Sequence, residues 1–583
     1  GGLLDMQGYN IGQYTTAYAN TTNLNVQLTA QSGTLQNVAA INGNLGLTKS
    51  GTGNLALAGY NTWLGPVVVT GGMVTTASEY ALGATATVNN SNGAITLNGG
   101  SFGTTATMTM SSNRGIALIG SGNIDVATGT TLTYGGTIAG PGVMTKTSAG
   151  TLVLSGSNVQ GGVTLSAGTL SLGNASAVGQ GPLTLSGGTL DVGTGATLTL
   201  ANNNAQTWSG SFSFAGTNNL NLGTGAVTLS GNNTTTVTAN TLTVGGAVTG
   251  TSSTLTVAGA GTLVFNGALN VGGLALSGGN VAFGSAITAQ TIPSLAGATG
   301  TVSLTNAGNS AVALTLNGGT NASFGGVIAG TGAVTKTGTN TQTLYGQNTY
   351  TGATTINAGT LLLDFTQATA PATNILASTN NVNLAGGTLS LSGKAATVNA
   401  QTLGTITATT GTSSLVLTQG TATSLALNAT LARNTGATID LATNVGTPGA
   451  ANGLVLSNSN VNGIVGGYFT VAGADFAVAN ANSGVTALSA GSYTTLVGDG
   501  TDSATANATV TANTTMSANT TVNSLKVAPT AATQTLALAG NTLTLGTGGL
   551  LVTGTQSFTL SATGNGTLTS GAANELIVLQ NSS

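Results

Sequence analysis

In GTLVLSG, at 150–156, Leu152 and Leu154 stand two residues apart between glycines, and this construction runs through the whole chain. GNLALAG (53–59), GTLSLG (168–173), GPLTLSGGTLDVG (181–193) and GGTLSLSG (386–393) all set Leu or Val at every second place. A two-residue apolar period is the mark of a strand with one buried face, and the bounding Gly, Asn and Ser are turn residues. Helical spacing is nearly absent, and the strong helix formers Glu, Lys and Arg are scarce. The chain is expected to be all-β.

How the strands assemble follows from self-similarity. Lys49, Lys146 and Lys336 each follow a Thr in a recurring phrase, and the second interval between them is close to twice the first. Asn61, Asn158 and Asn348 keep the same two intervals, and Gly72, Gly168 and Gly359 nearly keep them. A further copy near residue 243 is expected, but 239–267 preserves only the strand texture. Within each copy the Gly-x-Leu-x-Leu phrase returns one coil length later, as from Gly168 to Gly188 or Gly359 to Gly387, a beat of roughly 20–30 residues. A β-sandwich array would need units of about 100 residues. The short phrase recurs several times within that length, which favours a β-solenoid whose coils pair in parallel along the axis. At about 20 residues per coil the chain would make about 29 coils.

Composition removes the simpler alternatives. Charged residues are 3% of the chain, against about a quarter in an ordinary globular domain, and Cys and His are absent. Disorder pairs low hydrophobicity with high net charge, whereas mean hydropathy here is positive and net charge is −3. Glycine, 93 of 583 residues, is too sparse and aperiodic for collagen. No apolar run is long enough for a membrane-spanning helix, no signal peptide is visible, and no basic patch invites nucleic acid.

The lysines then pose a question, since three of the five lysines share one phrase. Equivalent residues of adjacent coils lie about 4.8 Å apart, so a lysine in every coil would build a ladder of like charge. Spaced by four or five coils, they stand farther apart than a Debye length of about 8 Å. Lys49, Lys146 and Lys336 are therefore expected to be solvated, edge-protecting turn residues. A shared contact with a neighbouring molecule is the alternative reading. Asn61, Asn158 and Asn348 read as corner residues whose amides bond to turn backbone or stack in ladders.

The segment TKTSAGTLVLSGSNVQGGVTLSAGTLSLGNASAVGQGPLTLSGGTLDVG, at 145–193, closely resembles the autotransporter-associated β-strand repeat, also called the passenger-associated transport repeat. Three copies resemble it well, at 44–100, 141–193 and 330–392, while 393–583 resembles degenerate coils of the same kind. The first copy has Trp63 where the repeat usually has Tyr, and Pro66 nearby; the second has Gln160 there; the third diverges after Asp364. The resemblance implies a right-handed parallel β-helix, export to the cell surface, and a passenger, adhesin or fibre role. It carries no catalytic residues.

Enzymatic chemistry finds little to work with. Polysaccharide-cleaving β-helices need grouped carboxylates, and of ten acids only Asp499 and Asp502, in GDGTDS, are close in sequence. They are weak candidates for calcium but fit ordinary turn chemistry as well. Catalytic residues and cofactors are accordingly expected to be none. Gly-x-Gly strings lack the following helix of a phosphate loop. Tyr60, Trp63, Tyr345 and Tyr350 either form a sparse glycan-stacking row on the outside, or pack a coil corner or meet another strand of a fibre. Triplets such as Asn20-Thr21-Thr22 are too common in this Asn- and Thr-rich chain to indicate glycosylation.

The chain opens and closes inside repeat-like phrases, GGLLDMQGYNIG and ELIVLQNSS, so it is expected to be one continuous solenoid over 1–583, a segment of a longer fibre or a protomer in one. The expected partner is the chain itself, end to end or laterally. Binding of cell-surface glycans by an adhesin is the second reading.

Overall fold

A computed structural model describes residues 2–7, 11, 28–39, 41, 45–84, 90–419, 424–443, 453–480, 484–571 and 575–581. The Asn20-Thr21-Thr22 triplet, parts of the first repeat copy and the extreme ends lie outside these. The chain is nearly all β, a parallel β-solenoid of about 23 turns. Among the described residues the only helical segments are short 3-10 turns at Glu79–Leu82 and Ala490–Ser492.

The coil is longer on average than the repeat phrase suggested, hence fewer turns. The coil that brings Thr169 beside Thr151 is short, whereas the one that brings Phe469 beside Ile439 is much longer. The difference is taken up in loops. In the stretch after Asp364 the chain makes a wide detour before Val382 returns to pair with Thr354.

Two compact units make up the chain: residues 1–287 with 300–309, and residues 288–299 with 310–583. In the first, Leu132, Leu152, Leu170 and Leu190 stack in register, each fully buried. A second column runs Ile124, Lys146, Leu165, Leu185, Trp208, Leu229. Strand after strand alternates buried and half-exposed, as in Thr151–Leu154 and Thr189–Val192. Stacking equal side chains at one register position keeps the core dry, and the strands of an inner coil share their backbone ladders with the coils on both sides.

In the second unit the column Ile292, Leu316, Lys336, Ile356, Leu384, Ala408 has the same design. Here the parallel ladders are interrupted. Phe469–Val471 turns back onto Asp475–Asn480, which pairs antiparallel with Gly484–Ala487. A new parallel ladder then starts at Tyr493–Thr495 and runs through Asn507–Val510, Ser524–Val527 and Gly549–Thr553 to Ile577–Asn581. Scarce charges gather at this interruption. Arg433 pairs with Glu575 at 2.6 Å and lies over the Tyr468 ring, while Lys526 pairs with Asp475 and lies over Tyr493.

Candidate functional site

The repeated Thr-Lys phrase ends a strand. In Leu47–Lys49, Met144–Thr147 and Val334–Lys336 the lysine has the same inward parity as the apolar residue two places before it. All three lysines are buried, at most 1% exposed. They are not solvated turn residues, because strand alternation carries the side chain into the core column. There the aliphatic stem takes the place of an apolar residue in the stack, between Ala30 and Val69 for Lys49, Ile124 and Leu165 for Lys146, and Leu316 and Ile356 for Lys336, and the ammonium bends back to the turn that follows.

Backbone carbonyls receive it. Lys49 Nζ donates to the carbonyls of Ser50 (2.6 Å) and Gly51 (2.9 Å), and to Gly71 of the next coil (3.0 Å). Lys146 Nζ donates to Thr147, Ser148 and, across the coil, Ala167. Lys336 Nζ donates to Gly338. The cation thus replaces water as the partner of carbonyls in a tight turn. A recurring glycine faces it, Gly72 in Gly-Gly-Met-Val and Gly168 in Ala-Gly-Thr-Leu. A Cβ on Gly72 would lie 2.6 Å from Lys49 Nζ, and one on Gly168 2.7 Å from Lys146 Nζ.

Burial lowers all three lysine pKa values; Lys146 falls from the ordinary 10.5 to about 8 against the opposing pull of Asp125. Between about 8 and 10.5 the unfolded chain keeps a proton that folded Lys146 has released, so stability is expected to rise with pH in that window. Buried Tyr134 and Tyr350 have raised pKa values and act the opposite way above about 10. The check is the denaturation midpoint between about pH 7.5 and about 9.5, with Lys146→Met flattening the slope. A midpoint that falls as pH rises would contradict the assignment.

The asparagines form the second lock. Asn158 Oδ1 accepts from the Ile138 amide of the preceding coil (2.8 Å), and its Nδ2 donates to the Ala177 carbonyl of the following one (2.8 Å). Asn61 bridges Val38 and Ala81 likewise, and Asn348 bridges Ile328 and Ile375. Each buried amide therefore ties three coils at a corner.

The aromatic row does not form. Trp63 and Tyr350 are buried corner residues, Tyr345 is half-buried, and only Tyr60 stands exposed. Two residues after the asparagine, the inward parity of the corner decides this. Tyr350 Oη meets Thr354 Oγ1 (2.6 Å), whose other partner is Asn380. Gln160, at the equivalent place, is fully buried with neither amide atom bonded to protein. A feature missed in the sequence is Arg114, which is also buried. It pairs with Glu79 at 2.9 Å and donates to the Leu82 and Gly83 carbonyls, a second way of using a cation to close a turn.

Asp499 and Asp502 close one turn. Asp502 accepts from the amides of Val497 and Gly498, and Asp499 accepts from Thr501, which lowers its pKa. Among the described residues no group of three or more His, Cys, Asp or Glu could hold a metal ion, and no helix is long and apolar enough to cross a membrane.

This geometry defines a class: a parallel β-solenoid whose repeat is a lysine-capped turn followed by an asparagine-tied corner. The chain carries three copies of the passenger-associated-transport-repeat, at 47–75, 144–172 and 334–363, each starting two residues before its lysine. It is similar to the adhesin BmaC autotransporter of Brucella suis biovar 1 (strain 1330), with 35% identity over 128 residues. That match spans 22% of this chain and 4% of the adhesin. No solved structure matches the chain. The fold and repeat make this an autotransporter-passenger-like β-solenoid.

Proposed function

We propose that the chain is an exported, surface-displayed passenger segment whose work is mechanical: a non-enzymatic solenoid that builds a protease-resistant fibre, sheath or stalk with copies or neighbouring segments of itself. The observation that carries this reading is where its few charges are spent. Lys49, Lys146, Arg114 and Lys336 lie in the core as turn caps rather than in a groove. Such a chain offers trypsin few sites, and those three lysines are out of reach while the coils hold. The purified chain is expected to survive native trypsin digestion uncut at Lys49, Lys146 and Lys336, and to form filaments under electron microscopy. Cutting at those lysines, or monodisperse single particles at every concentration, would refute the fibre role.

A second reading, adhesion to glycans or neighbouring cells, is favoured by the similarity to an adhesin. Displaying the chain on a non-adherent cell and counting attached cells tests it.

A further inference from the structure

Ser148, in the turn that follows the second buried lysine, has φ +57°. The first and third copies place glycine there, Gly51 and Gly338, and Gly51 has φ +66°. An L-residue in that region carries a conformational penalty, and most other non-glycine residues that adopt it here are asparagines, which tolerate it best. A strained serine where two other copies have glycine calls for a reason beyond the turn itself. We propose that Thr147–Ser148 is a self-cleaving peptide bond, attacked by the Ser148 hydroxyl with Asp125 as base and Lys146 as the cation that polarises the carbonyl. This goes beyond the mechanical reading, and each chain reacts once.

The groups that such a reaction needs converge on this bond. Ser148 Oγ donates to Asp125 Oδ2 at 2.6 Å, the contact a general base makes with the proton it removes. Lys146 Nζ donates to the Thr147 carbonyl at 2.5 Å. That carbonyl is the one a Ser148 hydroxyl reaches by closing a small ring on its own backbone. A fixed positive charge on the oxygen where negative charge develops is the arrangement of an oxyanion hole. Thr147 Oγ1 also donates to Asp125 Oδ2, at 2.9 Å, and holds the carboxylate beside the turn.

Of the three copies, only the second has the full set. Asp125 follows Ile124, the register partner of Lys146. The corresponding partners of Lys49 and Lys336 are Ala30 and Leu316, and they are followed by Gln31 and Asn317. Those copies keep the lysine cap but have neither the carboxylate nor a hydroxyl at the glycine place. Capping the turn therefore requires the lysine alone, and the acid and the serine occur together, each bonded to the other.

The reaction balances with water as the other reactant. Ser148 Oγ bonds to the Thr147 carbonyl carbon, and its proton passes to Asp125, then to the Ser148 nitrogen as the carbon–nitrogen bond breaks. The product is an ester between Thr147 and the Ser148 side chain, with a free amine on Ser148. Relief of the backbone strain favours this rearrangement. Water then hydrolyses the ester, leaving a Thr147 carboxylate and restoring the hydroxyl. Thr147 and Ser148 are half-buried and Ala149 is exposed, so water reaches the turn. The two pieces stay together, because Met144–Thr147 pairs with Gly122–Val126 and Val163–Leu165, and Thr151–Leu154 with Thr131–Tyr134 and Thr169–Leu172.

The purified full chain would be held at neutral pH with and without hydroxylamine, which intercepts an ester as the hydroxamate, and its fragments read by mass spectrometry. Expected are pieces 1–147 and 148–583, the second beginning with a free Ser148 amine, formed at least tenfold faster with hydroxylamine and co-eluting in gel filtration. Ser148→Gly, which installs the residue of the other two copies, and Asp125→Asn should both cut at least tenfold more slowly with an unchanged circular dichroism spectrum. Ser148→Cys, which keeps a nucleophile, should still cut. No cut after Thr147 in hydroxylamine-treated parent chain, a cut after Lys146 in its place, or equal cutting in parent and Ser148→Gly would overturn the proposal and leave Asp125 as a turn partner only.

Discussion

Replacing Asn158 with leucine is expected to open the corner between three coils at a local cost of about 3 kcal/mol. Leucine fills nearly the same volume, so little of the loss comes from packing. The Ile138 amide loses its acceptor and the Ala177 carbonyl its donor, both at 2.8 Å and both in a dry corner. Each buried group left unmet costs about 1–3 kcal/mol. Because a coil contacts only its neighbours, the damage should stay local rather than melt the unit. Native-state hydrogen exchange reads this directly. Protection of the Ile138 amide should fall about a hundredfold, at about 1.4 kcal/mol per factor of ten, while Ser157→Ala on the exposed side of the same corner leaves it unchanged. Unaltered protection at Ile138 in Asn158→Leu would mean that the asparagine bridge carries no weight.

The solenoid was legible because alternation and coil-length repetition are backbone properties, written in every Gly-x-Leu-x-Leu phrase. Alternation held the key to the lysines as well. Lys49 stands two residues after Leu47, Lys146 two after Met144 and Lys336 two after Val334, all on the buried parity. Charge argued for solvent and parity for the core, and parity won because turn carbonyls supply the bonds water would otherwise make. Spacing also marked Asn61, Asn158 and Asn348, and their expected bonding to turn backbone agrees with the bridges seen. What could not be read was any pairing that depends on the length of an individual coil. Tyr60 and Tyr80 become neighbours only because the coil between them is short, and Arg114 reaches Glu79 from well beyond the adjoining strand. Insertions such as the one after Asp364 change those distances without disturbing the strand phrase. The antiparallel hairpin of Asp475–Asn480 and Gly484–Ala487 was hidden for a related reason: its sequence alternates like any parallel strand, and direction leaves no mark on alternation.

Gly168→Ala should cost the second repeat far more than its backbone angle alone. Gly168 has φ +68°, and a Cβ there would lie 2.3 Å from the Ser148 carbonyl oxygen, 2.4 Å from that of Gly150 and 2.7 Å from Lys146 Nζ. The backbone angle alone costs an L-residue about 1–2 kcal/mol. Two backbone oxygens cannot swing away as a flexible side chain could, and one of them, Ser148 O, is a partner of the buried ammonium. Moving it weakens the cation's bonds, so the total should reach about 4 kcal/mol or more. Gly129 separates the two contributions: its φ is +74°, and a Cβ there meets nothing within 4 Å. Gly129→Ala should therefore cost only the angle, about 1–2 kcal/mol. A further comparison isolates the lysine. If the methyl acts partly by displacing Ser148 O from Lys146, then Gly168→Ala and Lys146→Met remove the same bonds, and their combined effect must fall short of the sum. Hydrogen exchange across 147–172, with global unfolding for Gly129→Ala, measures all four variants. Equal losses in Gly168→Ala and Gly129→Ala, or strict additivity with Lys146→Met, would show that the glycine is required for its backbone angle only. The repeated spacing of lysine and glycine within this chain would then owe nothing to the lysine cap.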